Sequence, residues 1–361
     1  MYLKNIKIQN FRNFRDASFD FPDGLIVIEG KNGIGKTNLL EAIYLLCTGK
    51  SQRKSNRSEM IKFGCNHFFV EGDFLSKIYS LNVGFGYTSD KKISLLLNQH
   101  PKEHFTDWFG KRPIISFNSD DLFLISGSPE NRRKFIDLFG CYSDSLYLQD
   151  LMTYRYIIQR KNILLRSKKF NEIQCEVYDE KLAETGSQIL LKRSDLISQI
   201  NRFFSDVYCD IAQNSDCVKI EYDSVLETGK YSKDTCKNVF YSKLLSFRQK
   251  DLDAGFSTFG PHREDLKISI NGKNSRKFAS QGQCRTLALS LKLSSSFSLE
   301  EKLHERSIFI IDDTVSELDS YRLDNFFSIV NNRGQVFIAA PVGRISNQKD
   351  FLKVDIPEDF Y

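Results

Sequence analysis

The 361-residue chain is 41% apolar and 27% charged, with a formal net charge of +5. That balance is ordinary for a globular protein and excludes a highly charged, disordered chain. No apolar run reaches the ~18–20 residues of a bilayer-spanning helix, and the mild positive charge admits a nucleic-acid partner without demanding one.

Along the chain, Leu3, Ile6, Ile8 and Phe11 predict an opening strand, and 24–30 reads as a buried strand with a turn at each end. Residues 36–47 carry Leu39, Leu40, Ile43, Leu46 and Cys47 at helical spacing. Strand-like runs follow within 67–98, and another at 113–117 closes the region. From 119 to about 250 the pattern is mostly helical. There Leu182, Ile189, Leu196 and Phe203 fall seven apart, while Gly186 and Arg193 interrupt a second row begun by Ile200 and Val207. Either a short coiled pair or an amphipathic helix packed on its own lobe fits this pattern. Strand character returns at 265–271, 307–311 and 335–339. The simplest architecture is one α/β head built from 1–118 and 252–361, with a mainly helical lobe, 119–251, inserted between them. The eight cysteines include no C-x-x-C pair, which argues against a zinc knuckle. The first residues do not read as a secretory signal, so the expectation is a reduced, cytoplasmic protein with no membrane partner.

The strongest signal is Gly30-Lys31-Asn32-Gly33-Ile34-Gly35-Lys36-Thr37, a G-x-x-x-x-G-K-[ST] match between a strand and a helix. Glycines at that spacing let backbone N–H groups point into one concavity, and the helix N-terminus adds its partial positive charge. Lys36 is placed to reach the β- and γ-phosphates of ATP, and the Thr37 hydroxyl to ligate Mg²⁺. Far downstream, the apolar strand at 307–311 delivers Asp312 and Asp313 at its end. Asp312 then suits Mg²⁺, mostly through water, and Asp313 suits the attacking water. The third element is Ser280-Gln281-Gly282-Gln283 ahead of a helical run, followed after the second acidic strand by Ser316-Glu-Leu-Asp319. Ser280 is also a good helix cap.

Two sets of basic residues are ambiguous on sequence alone. Lys50, Arg53, Lys54 and Arg57 follow the phosphate-loop helix and are the first choice for DNA contacts, although such runs are usually solvated faces. Arg132 and Arg133 suit either the ATP site or a salt-bridge network. Arg12, after the first strand, suits either nucleotide phosphates or a surface charge.

Asn10-Phe-Arg-Asn-Phe14, Gly33-Ile-Gly-Lys-Thr-Asn-Leu-Leu-Glu-Ala-Ile-Tyr44, Gly127-Ser-Pro-Glu-Asn-Arg-Arg133, Phe259-Gly-Pro-His-Arg-Glu-Asp-Leu266, Ser280-Gln-Gly-Gln283 and Asp312-Asp-Thr-Val-Ser-Glu-Leu-Asp319 together resemble the RecF family of bacterial recombination and gap-repair ATPases. The resemblance runs from one end of the chain to the other, and its Gly-Pro-His-Arg element is the most family-specific part. It implies an ABC/Rad50-like ATPase head and ATP sandwiched in a homodimer. Gly30 to Thr37 and Arg12 would then contact the nucleotide in cis, with Ser280, Gly282 and Gln283 acting as the signature in trans and Asp319 in a D-loop-like element of the same nucleotide site. It further implies slow, Mg²⁺-dependent hydrolysis. The dimer would clamp DNA near single-strand/double-strand junctions in gaps, with RecR and RecO helping to place RecA, and with effects on replication restart and the SOS response. A transporter ATPase subunit or an SMC/Rad50-like tether are the alternatives. The long helical separation between Lys36 and Asp312 disfavours the first, and the absence of a long coil disfavours the second. Three positions depart from the family pattern: Cys284, Glu264 in place of Asp, and Ala339-Ala340-Pro341 where a γ-phosphate-sensing polar residue is usual. Gln52 and Gln149 are both candidates for the Q-loop glutamine.

Overall fold

The computed structural model describes residues 1–31, 33–167, 171–226, 232–312, 320–331, 333–340 and 352–356. It divides into two compact units, one of 1–121, 210–213 and 295–361 and the other of 122–209 and 214–294.

The first unit opens with the expected strand, β1 (Tyr2–Phe11), and with β2 (Phe14–Asp20), which pairs antiparallel with it. The alternation of Phe14, Ala17 and Phe19 turns one face of β2 inward and leaves its charged residues outside. The core strand β3 (Leu25–Glu29) is buried at every position, and α1 (Lys36–Thr48) follows it. Next come β4 (His67–Leu75), β5 (Ser80–Thr88), β6 (Ile93–Leu97) and the two-residue β7 (His100–Pro101). They extend an antiparallel sheet of order β2-β1-β4-β5-β6-β7. A short α2 (Phe105–Trp108) leads into β8 (Ile114–Phe117).

In the second unit α3 (Leu122–Ser126), α4 (Pro129–Ser143), α5 (Ser145–Arg166) and α6 (Glu172–Ala212) come first. β9 (Val218–Asp223), α7 (Lys233–Ala254), β10 (Asp265–Ile270), β11 (Lys273–Asn274), α8 (Ser275–Phe278) and α9 (Gln281–Leu303) follow. The helix α6 is a packed lobe helix: Leu182, Ile189, Leu196 and Ile200 are buried, while Phe203, the last of the seven-apart row, is half-buried and its neighbour Phe204 takes the buried place. The two residues that seemed to interrupt its seam face inward. A Cβ on Gly186 would stand 2.6 Å from the Phe240 ring, and Arg193 is itself buried. The strand β9, within the stretch read as helical, pairs antiparallel with β10. A turn at Asn271 (φ 48°) and Gly272 (φ 75°), the residue pair favoured in tight hairpins, joins β10 to β11. This pairing is why 252–294, expected with the head, cluster instead with the second unit.

The chain closes the first unit with β12 (Ile308–Asp312), α10 (Ser320–Val330), β13 (Val336–Ala340) and β14 (Leu352–Asp355). These strands complete a parallel sheet of order β14-β3-β13-β12-β8. Parallel strands covered on both faces read as continuous apolar runs, as Leu25-Ile-Val-Ile and Ile308-Phe-Ile-Ile do. α1 packs against both sheets, so most of its side chains are buried, including that of Glu41. No helix among the described residues is long and apolar enough to cross a membrane.

Candidate nucleotide-binding site

The loop between β3 and α1 reverses through Gly33 (φ 87°) and Gly35 (φ 105°), conformations that side chains disfavour. Gly35 has no room for one either: a Cβ there would lie 2.7 Å from the Asn13 amide nitrogen and 3.0 Å from the Phe14 ring. α1 starts at Gly35 with no side-chain cap, so its first N–H groups face out of the helix end. Lys36 folds back over the loop, its Nζ donating to the carbonyls of Gly30 (2.5 Å) and Lys31 (3.0 Å). Those partners hold the ammonium at the mouth of the loop. Asn13 braces the far side, donating to the Ile34 carbonyl (3.3 Å) and accepting from Asn38 (2.7 Å).

The tertiary fold joins the two halves of the acidic and hydroxyl pair. Thr37 Oγ1 donates to Asp312 Oδ1 at 3.2 Å across 275 residues of sequence. Asp312 ends β12, which is separated from β3 only by β13. In that intervening strand Ala339 is paired with Asp312 on one side and Ile28 on the other. Asn32, Asp313, Asp319 and Pro341 lie outside the described residues.

Arg12 was read as a phosphate contact or a surface charge, and the structure gives it a third place. Its Nε and Nη2 donate in bidentate fashion to Glu41 at 2.8 Å each, while further bonds reach Ser55 and the Glu59 carbonyl. Glu41 is fully buried and also accepts from Ser51, so removing Arg12 would strand a buried carboxylate. Arg12 is therefore a strut that ties β1 to α1 and to the loop beyond α1.

That loop carries the basic cluster proposed for DNA, and its members have separate fates. Arg57 tucks inward, with its guanidinium over the Phe85 ring at 5.8 Å and donating to the Gly49 carbonyl. Its side chain is half-buried there. Lys54 pairs with Asp120 at 2.7 Å but stays well exposed, Arg53 donates to Asn38 Oδ1 at 3.3 Å, and Lys50 is exposed. Of the two candidate glutamines, Gln149 is exposed on α5. Gln52 follows α1, and its buried amide atoms have no hydrogen-bond partner among the described residues.

In the second unit Ser280 and Gln283 form a capping box at the start of α9. The Gln283 N–H donates to Ser280 Oγ (3.2 Å), and the Ser280 N–H to Gln283 Oε1 (2.9 Å). Ser280 is thus a cap, yet its oxygen is the acceptor there, which leaves its O–H to donate elsewhere.

The Gly-Pro-His-Arg element proves to be the polar core of the second unit. His262 is hydrogen-bonded at Nδ1 to the Tyr154 hydroxyl (2.8 Å) and at Nε2 to the Ser257 carbonyl (3.1 Å). A carbonyl can only accept, so Nε2 carries a proton, and in the neutral ring Nδ1 then accepts from Tyr154. Burial above all, aided by the charges of Arg263 and Arg133, pushes its pKa down to about 4. Arg193 donates to the Pro261 carbonyl and pairs with Asp137 at 2.8 Å. Arg132 forms a bidentate pair with Asp265, and Arg133 donates to the Glu264 carbonyl. Glu264 itself accepts from Tyr222 and Ser224, and burial raises its pKa. Between ATP site and salt-bridge network, Arg132 and Arg133 thus fall to the network.

The family model described as an AAA ATPase domain matches residues 1–318. A DNA replication and repair protein RecF from Ligilactobacillus salivarius (strain UCC118) is 33% identical over 347 residues, covering 94% of this chain and 91% of the relative. RecF from Desulfitobacterium hafniense (strain DSM 10664 / DCB-2) is 29% identical over 360 residues, covering 99% and 98%. Among solved structures, the recombination mediator protein RecF with ATP, in the RecFOR pathway, superposes with a TM-score of 0.89 at 32% identity, covering 98% and 95%. An Smc head bound to the C-terminal winged-helix domain of ScpA reaches 0.57 at 15% identity, covering 98% and 94%, a likeness of fold alone. The α/β architecture is that of an ABC/Rad50-like ATPase.

Proposed function

The chain belongs to the RecF family of DNA replication and repair proteins, and from that premise we propose that it is an ATP-switched clamp for gapped DNA. ATP binding closes a homodimer around DNA, and slow hydrolysis reopens it. The observation that carries this reading is the Thr37–Asp312 contact. It brings a hydroxyl and a carboxylate, two hard oxygen donors, to the end of an uncapped helix beside a lysine.

Such a donor set fits Mg²⁺, which keeps most of its waters and takes few protein oxygens. Thr37 and Asp312 would hold the ion, which when bound neutralises charge on the phosphate oxygens. Lys36 would exchange its carbonyl partners for the β- and γ-phosphates, while the N–H groups of Gly33 to Thr37 cradle the chain of phosphates. Asp313 is the proposed base that orients the attacking water, and Asp319 the proposed contact across the dimer. Ser280 would donate its hydroxyl to the γ-phosphate held by the other protomer, with Gly282 and Gln283 shaping the helix end. Arg12 contributes indirectly, by bracing α1 through Glu41.

The DNA partner is proposed to be a single-strand/double-strand junction, held through phosphates with Lys50, Arg53, Lys54 and the half-buried Arg57 as candidate contacts. The proposed cellular role is placing RecA on gaps together with RecR and RecO. The test is sizing by light scattering with ATP and gapped duplex. The wild-type chain should dimerise only with ATP and retain the DNA. Lys36→Ala should do neither, and a Lys36→Ala protein that still dimerises on ATP would defeat the assignment.

A further inference from the structure

The helix α5 satisfies its own unit with one face and leaves a second apolar face unused. Tyr147, Leu148, Leu151, Tyr154, Ile157 and Leu164 point into the second unit and are buried. On the opposite side Met152 (47% exposed), Tyr156 (57%) and Ile163 (63%) lie open. Gln149, Met152, Tyr156, Gln159 and Ile163 are spaced alternately three and four apart, the period of a helix-packing seam. At 1.5 Å per residue the seam runs about 21 Å.

Its charge is one-sided. Arg155, Arg160 and Arg166 flank the seam, and no exposed residue of α5 is Asp, Glu or Lys. Arg155 also reaches the buried Asp137 at 3.1 Å and Arg166 the Gly255 carbonyl at 3.2 Å, each keeping an exposed side chain. A merely solvated helix face mixes both signs, whereas Met, Tyr and Arg without Lys, Asp or Glu is the composition of a protein interface. The Arg160 guanidinium already stacks over Tyr156, 5.1 Å from the ring centroid, which fixes the fork at the middle of the seam. A second copy would set arginine against arginine. A nucleic-acid backbone would match the arginines but offers nothing for Met152 and Ile163.

We propose that the outer face of α5 docks an acidic amphipathic helix of a partner protein. Apolar side chains of that helix would fill the seam, and its carboxylates would meet Arg155, Arg160 and Arg166. Rim charges set the specificity and the encounter rate, while Tyr156 and Arg160 act as anchors. The surface lies wholly on α5 and needs no nucleotide, so it stands or falls separately from the ATP-clamp reading.

The probe is a fluorescent synthetic helix of about 24 residues, leucine at the seam positions and glutamate at the flanks, long enough to span the face. It is titrated into the full chain without nucleotide, beside an isomer with lysine at the flanks and a short duplex DNA. The acidic helix should bind saturably and at least about tenfold more tightly than the lysine isomer. Tyr156→Ala and Arg160→Glu should each weaken it by about tenfold with an unchanged circular dichroism spectrum, and Arg160→Glu should gain affinity for the lysine isomer. Equal binding of the two isomers, or indifference to both substitutions, would overturn the proposal. So would a loss of duplex binding alone in Arg160→Glu, which would make the face a nucleic-acid contact. A nucleotide-independent dimer broken by that substitution would give the face to a second copy, and would overturn it equally.

Discussion

Acidification should unfold this protein partly through His262, and the structure fixes the pH window. The ring is neutral in the fold, with a pKa near 4 against an ordinary value of 6.5. The unfolded chain therefore takes up a proton below about pH 6.5 that the native state refuses until about pH 4. Stability from this group is complete above the higher value and drains away as pH falls toward the lower. At about 1.36 kcal/mol per pKa unit the loss comes to roughly 3 kcal/mol. Glutamine cannot titrate, yet it can donate to the Ser257 carbonyl and accept from Tyr154. His262→Gln should be less stable than wild type at pH 7.5, by about 1–2 kcal/mol for imperfect hydrogen bonds. The difference should then shrink and reverse by about pH 4.5, because only the wild type meets the proton cost. Urea unfolding followed by far-ultraviolet circular dichroism at half-unit pH steps measures both curves. Other groups titrate in both proteins and drop out of the difference. Parallel curves from pH 7.5 to 4.5, or an imidazole that titrates near 6.5 in the native state by NMR, would refute the argument.

Lys161 is fully buried between Asp179 (2.7 Å) and Asp251 (3.1 Å), with Arg248 on Asp179 as well. Lys161→Met should cost about 3–5 kcal/mol by stranding buried carboxylate charge, read as a lowered urea midpoint. Thr37→Ala should weaken the Mg²⁺ dependence of hydrolysis, raising the half-saturating Mg²⁺ about tenfold with ATP binding largely kept; an unchanged Mg²⁺ curve would remove Thr37 from the metal site. Ser280→Arg should bind ATP as a monomer but fail to dimerise, and losing the capping box should lower its stability by about 1 kcal/mol. If that variant dimerises normally on ATP, Ser280 is a helix cap and nothing more.

The nucleotide site was legible in the sequence because its determinants are local. Gly33, Gly35, Lys36 and Thr37 do their work within one turn between β3 and α1, and a strand-turn-helix signature encodes that geometry directly. Most strands of the parallel sheet announced themselves as unbroken apolar runs for a similar reason. What the sequence could not decide was which polar groups meet across long separations. Arg12 looked like a free cation until the fold set it against Glu41, whose burial makes the pair obligatory. Arg57 reads as one of a basic run, and only the fold shows that it also reaches the Gly49 carbonyl and the Phe85 ring. The Gly-Pro-His-Arg element reads, on sequence, only as the most family-specific stretch. Only the packing of α4, α5, α6 and β9 around it revealed a hydrogen-bonded core whose members come from five stretches of chain. Residues 252–294 were assigned to the head for want of one fact, the pairing of β9 with β10. Backbone periodicity fixes where a segment bends and which face it buries. The choice of partner for a buried charge depends on desolvation, and desolvation exists only once the tertiary structure has formed.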